Sequence, residues 1–106
     1  MANSLLPHAK LDWTISKLEG ELEQHPEDTH KRLELARSVA SRGLLHGGGE
    51  AACNASLALA RKVLSEDPTS VEALVVAGLS LLGMDRTEAA FKYLSQALAI
   101  EEDRAD

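Results

Sequence analysis

Leu11, Ile15, Leu18 and Leu22 recur at steps of four, three and four, which puts them on one stripe of an amphipathic helix running from about Pro7 to Gln24. Pro7 is tolerated in the first turn because its missing N–H would have had no helical partner there. His25-Pro26 stops this helix, and Asp28 or Thr29 offers a side-chain oxygen to the N–H groups that open the next one. The second helix is expected to run to about Arg42 and to end at Gly43. A third begins near Gly49 or Glu50, where an acidic side chain suits the positive end of the helix dipole, and continues to Glu66. Asp67-Pro68 repeats the stop. Thr69 or Ser70 caps a fourth helix ending about Gly83, and the turn Met84-Asp85-Arg86-Thr87 leads into a fifth from Glu88 to about Glu102, with Thr87 as its expected cap. Trp13 lies off the first stripe and is expected to cover the edge of the neighbouring helix. The pattern predicts an all-α fold of about five helices.

The two Pro stops divide the chain into an N-terminal helix (7–25), a unit over 28–67 and a unit over 69–102, all within one domain. In the last unit Leu74, Ala77, Gly78 and Leu81 precede Ala90, Leu94 and Ala97 at the spacing W-x2-L-G-x2-Y, A-x3-F, A. Gly78, Ala90 and Ala97 keep the preferred residue type. The stretch from Val71 to Asp103 therefore resembles one unit of the tetratricopeptide repeat family. A Gly or Ala at the crossing point lets two helix backbones approach while larger neighbours fill the gap. A more divergent copy spans Thr29 to Pro68. There Leu35, Ala36 and Val39 take the Leu, Gly and Tyr positions, Arg32 stands where Trp belongs, and Ser56, Ala60 and Val63 follow in the second helix. Pro26 and Pro68 lie 42 residues apart, against a family period of about 34. The roughly eight surplus residues are assigned to the turn, where RGLLHGGGE from Arg42 to Glu50 breaks the helical pattern.

The resemblance implies antiparallel helix–turn–helix repeats whose first helices line a concave groove. Groove positions would then be His30, Leu33, Arg37 and Ala40 in the expanded unit and Glu72, Val75, Leu79 and Leu82 in the regular one. Family members that clamp a peptide's C-terminal carboxylate use Lys, Asn and Arg at such positions. Leu33, Val75 and Leu79 make an apolar strip instead, which suits an amphipathic helix or an extended apolar segment of a partner protein. The alternative is that the N-terminal helix folds across the groove and covers it. A stacked repeat also exposes the apolar side of its last helix unless something caps it. Phe91, Leu94 and Leu98 are therefore a candidate face for a second copy of the chain, or for a continuation of the repeat.

Composition narrows the function classes. Three aromatic residues in 106 leave packing to Leu, Ala and Val at short interhelix distances, as a helical stack requires. The net charge of −6 is split as −4 over 1–28, +2 over 29–68 and −4 over 69–106. An acidic chain without a basic stripe is repelled by phosphate backbones, so no nucleic-acid partner is expected. The single cysteine, Cys53, excludes an intrachain disulfide and points to a reducing, cytoplasmic setting. No signal-peptide pattern and no run of 18 apolar residues is present, so neither export nor membrane insertion is expected.

Catalytic and metal chemistry find little support. His46-Gly47-Gly48-Gly49 resembles an oxyanion loop, but no serine stands in G-x-S-x-G, and the glycines lack the Lys-Ser/Thr of a phosphate-binding loop. They read as a conformationally free turn. His25 and His30 are five apart across a Pro turn without a third ligand. Cys53 lies near a helix start, where a reactive thiolate is one reading and a buried packing residue the other. The sequence thus predicts a non-catalytic adaptor or scaffold module without metal or cofactor. A small acidic chaperone that shields a client, or a self-assembly module, is the alternative.

Overall fold

The computed structural model describes residues 7–46 and 49–105, arranged as five α-helices: α1 (Pro7–Gln24), α2 (Thr29–Leu45), α3 (Gly49–Glu66), α4 (Val71–Leu82) and α5 (Thr87–Ala105). The starts of α2 and α4 are built alike. The Asp28 carboxylate accepts the Lys31 N–H at 3.0 Å, and the Ser70 hydroxyl accepts the Ala73 N–H at 3.2 Å, each satisfying a donor that the first turn leaves unpaired. Thr87 is the first residue of α5 rather than its cap. In the preceding turn Asp85 takes φ 60°, a left-handed conformation that Asp adopts more readily than most residues.

The helices form an all-α, repeat-like stack. α2 pairs with α3 and α4 with α5, while α3 also packs on α4 and α2 touches α4; α1 packs on α2, and α5 packs mainly on α4, with Arg61 of α3 donating to the Tyr93 hydroxyl at 3.3 Å. The core runs through small residues: Ala36, Ala60, Ala77 and Ala90 are fully buried, with Leu57, Val76 and Leu81 between them. Side chains this short let helices approach closely, and Gly78 marks one such crossing, between α4 and α5. A Cβ added there would lie 2.6 Å from Leu94 Cγ. Leu94 thus fills the hollow over Gly78 and shares the inward stripe of Ala90 and Ala97, instead of facing outward with Phe91 and Leu98.

The surplus length of the first unit lies in its helices, contrary to its expected place in the turn. α2 has 17 residues and α4 only 12, and the connection between α2 and α3 is residues 46–48. The rest of the surplus is in the start of α3, which opens at Gly49, well before Ser56, whereas α5 opens at Thr87, one turn before the matching Ala90. Gly43 does not end α2. It sits within the last turn because α3 crosses so near that a Cβ at Gly43 would meet Cys53 Sγ at 2.8 Å and Cys53 N at 3.1 Å. Arg42 then closes the helix, its guanidinium donating to the His46 carbonyl while the His46 N–H donates to Arg42 O at 3.2 Å. Gly49 opens α3 at φ 67°, where a side chain would be strained. Gly47 and Gly48, and with them most of the glycine loop, lie outside the described residues.

Two polar devices fix the register. Arg32, 8% exposed, occupies the place of the expected Trp and donates to the Pro26 carbonyl and, at 3.2 Å, to Glu66, which also accepts from the Thr29 hydroxyl. This ties the His-Pro turn to the end of α3. Between α3 and α4, the buried hydroxyls of Ser56 and Ser80 meet at 2.5 Å, and each also reaches a carbonyl of its own helix, Cys53 O and Val76 O.

Candidate functional site

Because α2 and α4 touch side by side while α3 fills in between them from one flank, the outward faces of α2 and α4 enclose a groove. It has a volume of about 520 Å³ and is lined by Ala40, Leu44, Leu45, Val71, Val75, Val76 and Leu79, with Arg37, Ser41 and Glu72 as its polar members. That volume lies within the range of roughly 300–1,000 Å³ common to ligand clefts. Arg37 Nη1 and Glu72 Oε2 stand 3.5 Å apart across the groove, both about half exposed. A pair so hydrated contributes well under about 1 kcal/mol, so it marks a polar crossing point more than a lock.

Five of the sequence-predicted groove residues, Arg37, Ala40, Glu72, Val75 and Leu79, come together here. His30 and Leu33 line an adjoining hollow with Ser70, Val71, Glu72, Glu101 and Arg104. Leu82 is 40% exposed beyond the groove's far end. Leu44 and Leu45 fall outside the expected groove because the expected end of the second helix at Arg42 cuts the stripe short, and Ser41, Val71 and Val76, inside the expected helices, flank the single row of positions that the repeat pattern assigns. The signal for Leu44 was present: Leu33, Arg37, Ala40 and Leu44 step by four, three and four. Leu44, Leu45 and Leu79 leave an apolar patch at the groove's end, with Leu45 75% exposed.

The N-terminal helix does not cover this groove. Among the described residues α1 lies along the far edge of α2 and reaches no other helix. Ion pairs hold both its ends, Asp12 with Arg42 at 2.8 Å and Glu21 with Lys31 at 3.1 Å. The Glu21 carboxylate, hydrogen-bonded to the Lys31 ammonium, raises that lysine's pKa above its ordinary value. Trp13 is also not a covering residue: it is 65% exposed, with the Lys17 ammonium 5.3 Å from its ring centre. On α5, Phe91 and Leu98 are 70% and 62% exposed.

Cys53 is 1% exposed, and burial, with Glu50 nearby, pushes its thiol pKa up, away from the thiolate. It is the packing residue onto which Gly43 and Gly83 both close. His25 and His30 face Glu27 and Glu34 separately, each at 3.7 Å. Among the described residues no group of three His, Cys, Asp or Glu is placed to hold a metal ion, and no helix is long and apolar enough to cross a membrane.

No protein-family model matches the chain, and no curated protein matches it.

Proposed function

We propose that this protein is a non-catalytic interaction module of the tetratricopeptide kind, a cytoplasmic adaptor or scaffold whose α2–α4 groove holds an apolar or amphipathic segment of another protein. The observation that carries this reading is the apolar groove itself, open along both helices and crossed by one polar pair. Leaving such a surface in water forfeits roughly 25 cal/mol for each Å² of apolar area, a gain that an occupant recovers. The repeat resemblance supports the same face, since its first-helix positions converge there. The acidic chain favours a protein over a nucleic-acid partner.

Selection of random 16-residue peptides displayed on phage against the folded chain, with counter-selection on Leu79→Glu, tests this. Leu79 is 38% exposed at the groove, so the variant keeps the fold while placing a charge where an apolar side chain would dock. Enrichment of apolar or amphipathic sequences that the variant fails to retain is expected. Recovery of peptides that the variant holds equally well, or of none, rejects the groove.

The chaperone reading uses the same groove and differs only in its occupant, an unassembled client. Self-assembly is the second reading, favoured by the outward Phe91 and Leu98 on the last helix of the stack. Sedimentation equilibrium over a hundredfold concentration range separates it, with a dimer lost on Phe91→Glu as its signature. Leu94 is unsuited to that test because it packs against Gly78.

A further inference from the structure

The groove is longer than its central part, and its two ends differ in charge. Through Val71 and Glu72 it runs on into the hollow beside Glu101, and through Ser41 and Leu45 into a third hollow where Lys10, Leu11 and Thr14 of α1 meet the end of α2. The path follows α2 from His30 to His46, about 24 Å at 1.5 Å per helical residue. At its α5 end the hollow holds the carboxylates of Glu72 and Glu101 against one base, Arg104, 3.7 Å from Glu101. Glu101 stands in the closing turns of α5, where the dipole already presents negative charge and cations are favoured. At the other end Arg42 is committed to Asp12 and the His46 carbonyl, while the Lys10 ammonium forms no ion pair among the described residues.

We propose, resting on the groove reading above, that the occupant is an amphipathic helix of another protein, about four turns long, lying antiparallel to α2 with basic residues at its C-terminal end and acidic residues at its N-terminal end. Three requirements agree in that orientation and no other. The basic end meets Glu101 and Glu72, and the acidic end meets Lys10. The occupant's own dipole favours acids at its start and bases at its end. Its dipole also opposes those of α2 and α4, both of which begin beside Glu101. Over the Arg37–Glu72 crossing the occupant carries a small or polar residue, and over Val75, Leu79 and Leu44 its apolar stripe.

Two designed 16-residue peptides with the same leucine stripe provide the test, one with Glu at its start and Lys at its end, the other with these exchanged. Binding is followed by fluorescence anisotropy. The first is expected to bind at least about tenfold more tightly at an ionic strength near 0.02 M, with the preference shrinking to less than about threefold at 1 M salt as the Debye length falls. The exchanged peptide is intrinsically the poorer helix, so the deciding measurement uses the protein variant Lys10→Glu with Glu101→Lys, for which the preference inverts. A preference unchanged in that variant, or equal affinities for the unaltered protein, overturns the polarity and leaves the groove intact. Binding that Leu79→Glu does not weaken overturns the groove as well. If neither peptide binds at 1 mM, the helical occupant is rejected, and the display selection alone decides the groove.

Discussion

Replacing a glycine inside a helix with alanine ordinarily stabilises it by about 0.8–1.0 kcal/mol, because alanine loses less backbone freedom on folding. Gly20, in α1, is such a case: a Cβ there meets nothing within 4 Å. Gly43, in the last turn of α2, is not. Its Cβ would meet Cys53 Sγ at 2.8 Å, Cys53 N at 3.1 Å and Ala52 Cβ at 3.2 Å, two of which belong to backbone or to a side chain that cannot rotate away. Overpacking of this kind costs about 1–3 kcal/mol, which outweighs the propensity gain. Since two of the three contacts cannot give, the upper part of that range applies, about 2–3 kcal/mol. Less the propensity gain, Gly43→Ala should lose about 1–2 kcal/mol, equivalent to roughly 4–16 °C in midpoint for a domain of this size, while Gly20→Ala gains up to about 1 kcal/mol. Thermal and urea unfolding followed by circular dichroism reads both. In a Cys53→Ala background the nearest contact is gone, and the penalty of Gly43→Ala should shrink by about 1 kcal/mol, a coupling that a double-mutant cycle isolates. If Gly43→Ala stabilises as Gly20→Ala does, α2 and α3 do not cross this closely, and Leu44 is not held at the groove's end by this contact.

Three further outcomes are expected. Cys53 should resist iodoacetamide at pH 8 until the chain unfolds. Because its thiol is harder to ionise folded than unfolded, stability should decline once pH rises past the ordinary thiol range, with no such decline in Cys53→Ala. The amides of α1 should exchange with deuterium faster than those of α4, since α1 touches only α2 and Leu18 is its one buried residue among the described side chains; equal protection would mean that α1 is held by more than is described above. Arg32→Ala should lose about 1–3 kcal/mol by stripping partners from Glu66 and the Pro26 carbonyl. Arg32→Lys should recover only part of this, because a point charge cannot serve both acceptors as a guanidinium fork does.

The legible parts of the sequence were those governed by local chemistry. Pro26, Asp28, Pro68 and Ser70 set helix boundaries through effects confined to one turn, and the structure places the boundaries there. The stripe from Ala40 to Val75 and Leu79 was readable because groove residues on a helix keep a fixed spacing. The end of α2 was not readable. Gly43 and the glycines that follow mark Arg42 to Leu45 as the start of a loop, against the helical step that runs on to Leu44, and what decides for the helix is the packing of Gly43 on Cys53, which lies in the next helix. Leu94 was misplaced for a similar reason. Phe91, Leu94 and Leu98 share one spacing, as do Ala90, Leu94 and Ala97, and only the hollow over Gly78 decides which stripe claims the leucine.

Ser56 and Ser80 carry two protons between them and face three acceptor contacts, since each hydroxyl reaches both the other and a carbonyl of its own helix. The arrangement holds a spare. Were either serine exchanged for alanine, the other would keep its own carbonyl and remain satisfied, so neither loss strands a buried polar group. Most buried polar pairs confine a lineage to changing both members together. This seam between α3 and α4 lets them change one at a time, in either order, leaving a path for sequence drift through the centre of the stack.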